Sequence, residues 1–123
     1  MKLVNFSEKE KMAVCRILLE VSLIAIKPDK SDISLNSYAY MQKVQQDFEL
    51  TMEDMQKVIQ MKIPDDISFL KNSNKLVKLH IAMFMLTMVD IDVSDLKKRI
   101  FNSILSYIEI PDTYDELHNL MSI

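Results

Sequence analysis

Asp90, Asp92 and Asp95 crowd the stretch Asp90-Ile91-Asp92-Val93-Ser94-Asp95, three carboxylates in six residues. Oxygen donors so close together suit a hard cation such as Ca²⁺ or Mg²⁺. Asp90-x-Asp92-x-Ser94 imitates the opening of an EF-hand loop, but the imitation stops there. Asp95 stands where that loop needs Gly, and Phe101 stands where it needs a bidentate Glu. The competing use of these acids is helix capping. Carboxylates at a helix N-terminus satisfy its orphan amides and oppose its dipole, worth ~0.3–1 kcal/mol each. Capping is the ordinary outcome for such acids. A divalent cation is the one cofactor the residues leave open, through a metal-binding protein or a metal-dependent enzyme built on this acidic turn.

Other reactive side chains are scattered. Cys15 is the single cysteine, so no disulfide forms within the chain, which fits a reducing compartment. It sits between Val14 and Arg16 on an amphipathic stretch, where a free cysteine serves as a small buried hydrophobe. No motif joins it to His80 or His118 as a thiol nucleophile, and one cysteine with two distant histidines makes a poor zinc set. Lys97, Lys98 and Arg99, with Lys75 and Lys78, bring local positive charge. On consecutive helical positions the first three point different ways and read as a solvated face. Tyr38 and Tyr40 are two residues apart and cannot share one helix face, so one of them faces solvent. No catalytic set can be named from these residues.

The elements that hold these groups are dictated by an absence. The 123 residues contain no glycine, where an average chain of this length carries roughly nine. Glycine supplies positive-φ turns and close backbone approach to phosphates. Without it neither a P-loop nor a dinucleotide fingerprint can be written, and tight β-hairpins are disfavoured. The chain must be helical, with loops of Asn, Asp, Ser and Pro. At 49% hydrophobic residues it has material for one full core, and its ten methionines suit irregular helix–helix gaps. A net charge of −3 offers no basic face for nucleic acid. The start of the sequence turns charged at once, unlike a signal peptide, and Ile81 to Val89 is about half a membrane span. The expectation is a cytoplasmic protein without a membrane span.

Capping signals divide the chain. Ser7-Glu8-Lys9-Glu10 forms a capping box before apolar residues at helical spacing, and this first helix is expected to run to about Lys27, before Pro28. A second helix begins between Ser31 and Ser34 and carries Leu35, Tyr38, Met41, Val44 or Gln45, and Phe48. Thr51 with Asp54 caps a third, which carries Met55, Val58 and Ile59, and Leu50 staples to Met55. Pro64 opens a very short fourth helix that Asn72-Ser73-Asn74 breaks. A fifth, from about Lys75 to Val89, is apolar all round and should be central. A sixth carries Leu96, Ile100, Phe101, Ile104 and Ile108, and Asp112 with Asp115 caps a last one. The fold class is all-α: one domain, 1–123, a compact bundle of six or seven helices.

An internal repeat runs through this pattern. An apolar helix, an acidic turn and an amphipathic helix occupy residues 17–48 and again 81–108, closing on Phe48-Glu49-Leu50 and Ile108-Glu109-Ile110, each before a capped helix. This implies two helical hairpins about a pseudo-twofold axis. Met88-Val89-Asp90-Ile91-Asp92-Val93-Ser94-Asp95-Leu96-Lys97 follows a repeated signature: an apolar helix ending in Asp-Gly, then one residue, an apolar residue, and a short run to Glu. Asp90 and Val93 match it, Ile91 replaces the Gly, and Lys97 stands in the Glu position. In Ala25 to Asp32, Ala25 replaces the Asp, Ile26 the Gly, and Asp32 stands in for the Glu. With these features the chain resembles, over residues 8–120, the TerB-like family of tellurite-resistance proteins and the DjlA co-chaperone N-terminal region. The resemblance implies a helical, stress-related module, and acidic turns that look like metal sites. The expected function is a non-enzymatic interaction or sensing module that binds a protein partner or another copy of itself.

Overall fold

The computed structural model describes residues 5–22 and 35–121, and these contain six α-helices and no strand. They are α1 (Glu8–Ser22), α2 (Leu35–Asp47), α3 (Met52–Gln60), α4 (Lys75–Ile91), α5 (Asp95–Tyr107) and α6 (Tyr114–Met121). No helix is long and apolar enough to cross a membrane among these residues. The expected end of the first helix near Lys27, the start of the second before Leu35, and the first copy of the repeated signature lie outside the described residues.

Each helix start follows from a short polar side chain. The Ser7 hydroxyl accepts from the Glu10 amide at 3.1 Å, and the Glu10 carboxylate accepts from the Ser7 amide at 2.9 Å. Thr51 and Asp54 repeat this reciprocal box at α3, where Leu50 is buried and Met55 packs against the core. Asn74 caps α4 by accepting from the Val77 amide, and Ser94 caps α5 by accepting from the Lys97 amide. The cap of α6 is Thr113, not Asp112. Its hydroxyl accepts from the Glu116 amide at 3.3 Å, while Glu116 accepts from the Thr113 amide at 2.8 Å. The reciprocal pair of Thr113 with Glu116 takes the place expected of Asp112 with Asp115 and satisfies two orphan donors.

The short fourth helix is instead a turn over residues 63–67 leading into a 3-10 segment, Ser68–Asn72. Its three-residue period stacks Ile67 and Leu70 on one face, and both are fully buried. Ile59 also departs from expectation: α3 is too short to bury two faces, so Val58 turns inward and Ile59 is exposed.

The repeat is realised in hydrogen bonds and in packing. After α2 the Glu49 amide donates to Gln46 and the Leu50 amide to Gln45. After α5 the Glu109 amide donates to Ser106 and the Ile110 amide to Leu105. Both are Schellman closures. Their left-handed residues are Glu49 at φ 57° and Glu109 at φ 59°, so the chain uses glutamate where glycine is usual. Exchanging α1 with α4, α2 with α5 and α3 with α6 carries contact α1–α2 onto α4–α5, α1–α3 onto α4–α6, and α1–α5 onto α4–α2. The pair α1–α4 is the contact that the exchange leaves in place.

The core lies along that pair. Ile17, Leu18 and Val21 of α1, with Ile81, Met85 and Met88 of α4, are all fully buried. Phe6, Phe48 and Phe84 close one end in a triangle with ring centroids 5.4 to 6.2 Å apart. The sequence had marked α4 as the enclosed helix, yet Leu76, Leu79 and Met83 along it are exposed. α1, which reads as merely amphipathic, has Ala13, Val14, Cys15, Ile17, Leu18 and Leu19 all buried.

A non-glycine residue held in the left-handed region costs about 1 kcal/mol. Glu49→Gly and Glu109→Gly are therefore each expected to stabilise the fold by about 0.5–1 kcal/mol, the gain being trimmed by glycine's greater freedom when unfolded. Thermal melts of the two variants check this, and a fall in either midpoint would contradict the strain.

Candidate functional site

The three aspartates of the acidic stretch do not share one environment. α4 runs two residues further than its hydropathy implies, so Asp90 lies in its last turn, Asp92 is its C-cap, and Asp95 opens α5. Asp95 has the place of a dipole-favourable first-turn acid. Asp90 is at the end of a helix where the dipole disfavours it, and it turns to α6. Its Oδ1 accepts from the Tyr114 hydroxyl at 2.5 Å, and its Oδ2 lies 3.4 Å from His118 Nε2. Among the described residues no group of three or more His, Cys, Asp or Glu side chains is placed to hold a metal ion.

Tyr114 is the hub of this corner. Its amide donates to Asn102 Oδ1 at 2.8 Å, which ties the start of α6 to α5. Its ring meets Phe101 edge to face at 5.4 Å, and Lys98 Nζ lies 5.1 Å from its centroid. Burial, and then the Asp90 carboxylate that accepts the hydroxyl's hydrogen bond, hold the phenol well above the ordinary tyrosine range. The Asp90–His118 pair is about two-fifths exposed on both sides and adds little where water screens it. The arrangement is a clasp that docks α6 across the end of α4.

The remaining candidates are placed as follows. Cys15 is fully enclosed, and burial pushes its thiol up to about 12, which keeps it protonated and inert at neutral pH. His80 contacts the Leu76 carbonyl and the Phe6 ring, and His118 lies in the Asp90 corner, so neither activates Cys15. Lys97, read from the sequence as part of a solvated face, is buried under the α4–α5 turn. Desolvation lowers its pKa and the Asp92 charge partly restores it. Lys98 leans on Tyr114 and Arg99 is exposed. Tyr38 faces solvent and Tyr40 packs on the core, as their spacing requires.

One open surface is largely apolar. A groove of about 320 Å³ lies between α4 and the α5–α6 turn. Leu79 and Leu117 belong to its apolar lining, α4 brings Lys75 and Lys78 to one side, and the α5–α6 turn brings Glu109 and Asp112 to the other. Leu76, Leu79 and Met83 continue outward from it as one stripe of α4, at i, i+3 and i+7, and Leu120 of α6 is exposed nearby in sequence to Leu117. Hydropathy alone had hidden this stripe, because a helix that is apolar all round cannot reveal which face stays uncovered. Two shallower grooves, about 420 and 380 Å³, lie along α5 and bring no reactive pair together.

Tyr114→Phe is expected to cost about 1 kcal/mol, the worth of one charge-assisted bond to a half-hydrated carboxylate. The phenol's folded pKa is raised, so its contribution is complete below the unfolded value of about 10 and is lost as pH rises above it. Stability measured by denaturant titration should fall from about pH 10 upward in the wild type and less steeply in Tyr114→Phe. EDTA-treated protein is expected to melt at one temperature with or without Ca²⁺, Mg²⁺, Mn²⁺ or Zn²⁺. A ligand bound only by the folded state must raise the midpoint. A rise that Asp90→Ala and Asp92→Ala abolish would restore the acidic turn as a metal site.

No protein-family model, curated protein or solved structure matches this chain.

Proposed function

We propose that the chain is a non-enzymatic helical interaction module of the TerB-like kind, which works by binding a protein through the α4–α6 face. The observation that carries this reading is the stripe of Leu76, Leu79 and Met83 beside a groove with an apolar lining. Large side chains left in water at helical spacing cost solvation that a partner recovers, and contiguous apolar surface of this kind marks contact sites. A binding role is further supported by how the ionisable groups are used. Cys15 is enclosed, Asp90 and Tyr114 are engaged with each other, and Lys97 is buried beside Asp92, so each serves the fold.

Leu79→Glu with Met83→Glu tests the reading, because both positions are exposed and a charge there stays in reach of water. Tagged wild-type chain is expected to retain a protein from cell extract that this double variant releases, at equal thermal stability. Equal capture by both proteins would contradict a role for the face.

A further inference from the structure

The two halves of the chain are built alike, but one is closed where the other is open. Setting Ile17 of α1 on Ile81 of α4 brings Ala13, Leu18 and Val21 onto Val77, Ala82 and Met85, and all of these are buried. The neighbouring face differs. Cys15 is 0% and Leu19 7% exposed, whereas their counterparts Leu79 and Met83 are 42% and 45% exposed. The third helices differ in the same way. Aligning the capping residues Thr51 and Thr113 sets Val58, 0% exposed, on Leu120, 64% exposed. Residue type does not distinguish the halves here, since every one of these positions is apolar.

The first half is closed by α3 and by the connector that continues from it over residues 61–73. The connector is tied to α1 at three points. Arg16 Nε donates to the Met61 carbonyl at 2.8 Å, Lys9 lies 4.3 Å above the Phe69 ring, and the Ser73 hydroxyl donates to Glu10 at 2.8 Å. It carries Ile67 and Leu70 fully into the core. No described segment does this for α4 and α6. Among the described residues, the face that the repeat would cover is therefore unpartnered.

Charge says what fits there. Lys75 and Lys78 stand on one side of the groove and Glu109 and Asp112 on the other, and among the described residues none of these four side chains makes an ion pair. A surface with positive and negative sides along one apolar groove is self-complementary about a twofold axis parallel to that groove, because the rotation sets each positive side against the partner's negative side. We infer that a second copy of this chain closes the face. Lys75 and Lys78 of each copy then meet Glu109 and Asp112 of the other, and Leu79, Met83 and Leu120 are buried between them. The inference rests on the interaction-module reading and names its partner.

Light scattering on the purified chain tests it. The wild type is expected to form a dimer that weakens as salt is raised, since rim charges are screened. Leu79→Glu with Met83→Glu should be monomeric while keeping its helical circular dichroism and a cooperative melt, whose midpoint no longer depends on protein concentration. The charge variants give the sharper result. Lys75→Glu with Lys78→Glu leaves both sides negative, and Glu109→Lys with Asp112→Lys leaves both positive. Each alone should dimerise about tenfold more weakly or worse, as like charges oppose across the contact. An equal mixture of the two should recover the dimer, because every opposing side is again of opposite sign. A wild type that is monomeric at all soluble concentrations, a dimer indifferent to Leu79→Glu with Met83→Glu, or a mixture that stays monomeric would each overturn the second copy as occupant. If the chain is monomeric while capture from extract still depends on Leu79 and Met83, the second copy is excluded and the interaction reading stands. If capture is indifferent as well, both fall.

Discussion

The packing of α1 on α4 is the contact from which the rest of the molecule is hung. The two helices press Ile17, Leu18 and Val21 against Ile81, Met85 and Met88, all without solvent exposure. Full burial of an aliphatic side chain is worth roughly 1.5–3 kcal/mol, so the six together contribute heavily to the stability of the fold. The second helices, α2 and α5, contact both members of the pair, and the third helices, α3 and α6, contact the one in their own half.

A chain without glycine has to close its helices in another way. It does so twice with the same device, a Schellman turn whose left-handed residue is glutamate, followed by a threonine cap. The strain at Glu49 and Glu109 is held by the packing around it: Phe48 and Leu50 anchor one turn in the core, and Ile108 anchors the other. The second turn also places Glu109 on one side of the α4–α6 groove. One residue thus serves both the closure of a helix and the charge of a surface.

The corner built on Asp90 shows the same economy. An acid that the dipole would disfavour at the end of α4 is stabilised by the Tyr114 hydroxyl, and Tyr114 in turn is held by Asn102 and Phe101 of α5. This fastens α6, only eight residues long, across two helices. A helix of that length would not persist without tertiary support. Its position leaves Leu120 and the α4 stripe open together, and the proposed binding face depends on that.

Much of the architecture was legible in the sequence. The capping boxes at Ser7 and Thr51, the breaker at Asn72 to Asn74 and the paired Phe48-Glu49-Leu50 and Ile108-Glu109-Ile110 turns are local, and local chemistry acts through hydrogen bonds between near neighbours. The site was not legible to the same degree. Asp90, Asp92 and Asp95 are adjacent in sequence, but a helix that runs two residues longer sends the first toward Tyr114, many residues away. Lys97 reads as one of three solvated cations and is buried by the turn above it. Leu79 and Cys15 have the same apolar character at matching positions, yet one is in water and the other enclosed, in the half where α3 and the connector pack on α1. Periodicity and caps specify where helices begin and end because those interactions span a few residues. Which apolar face is covered depends on what distant segment packs against it, and no local pattern carries that information.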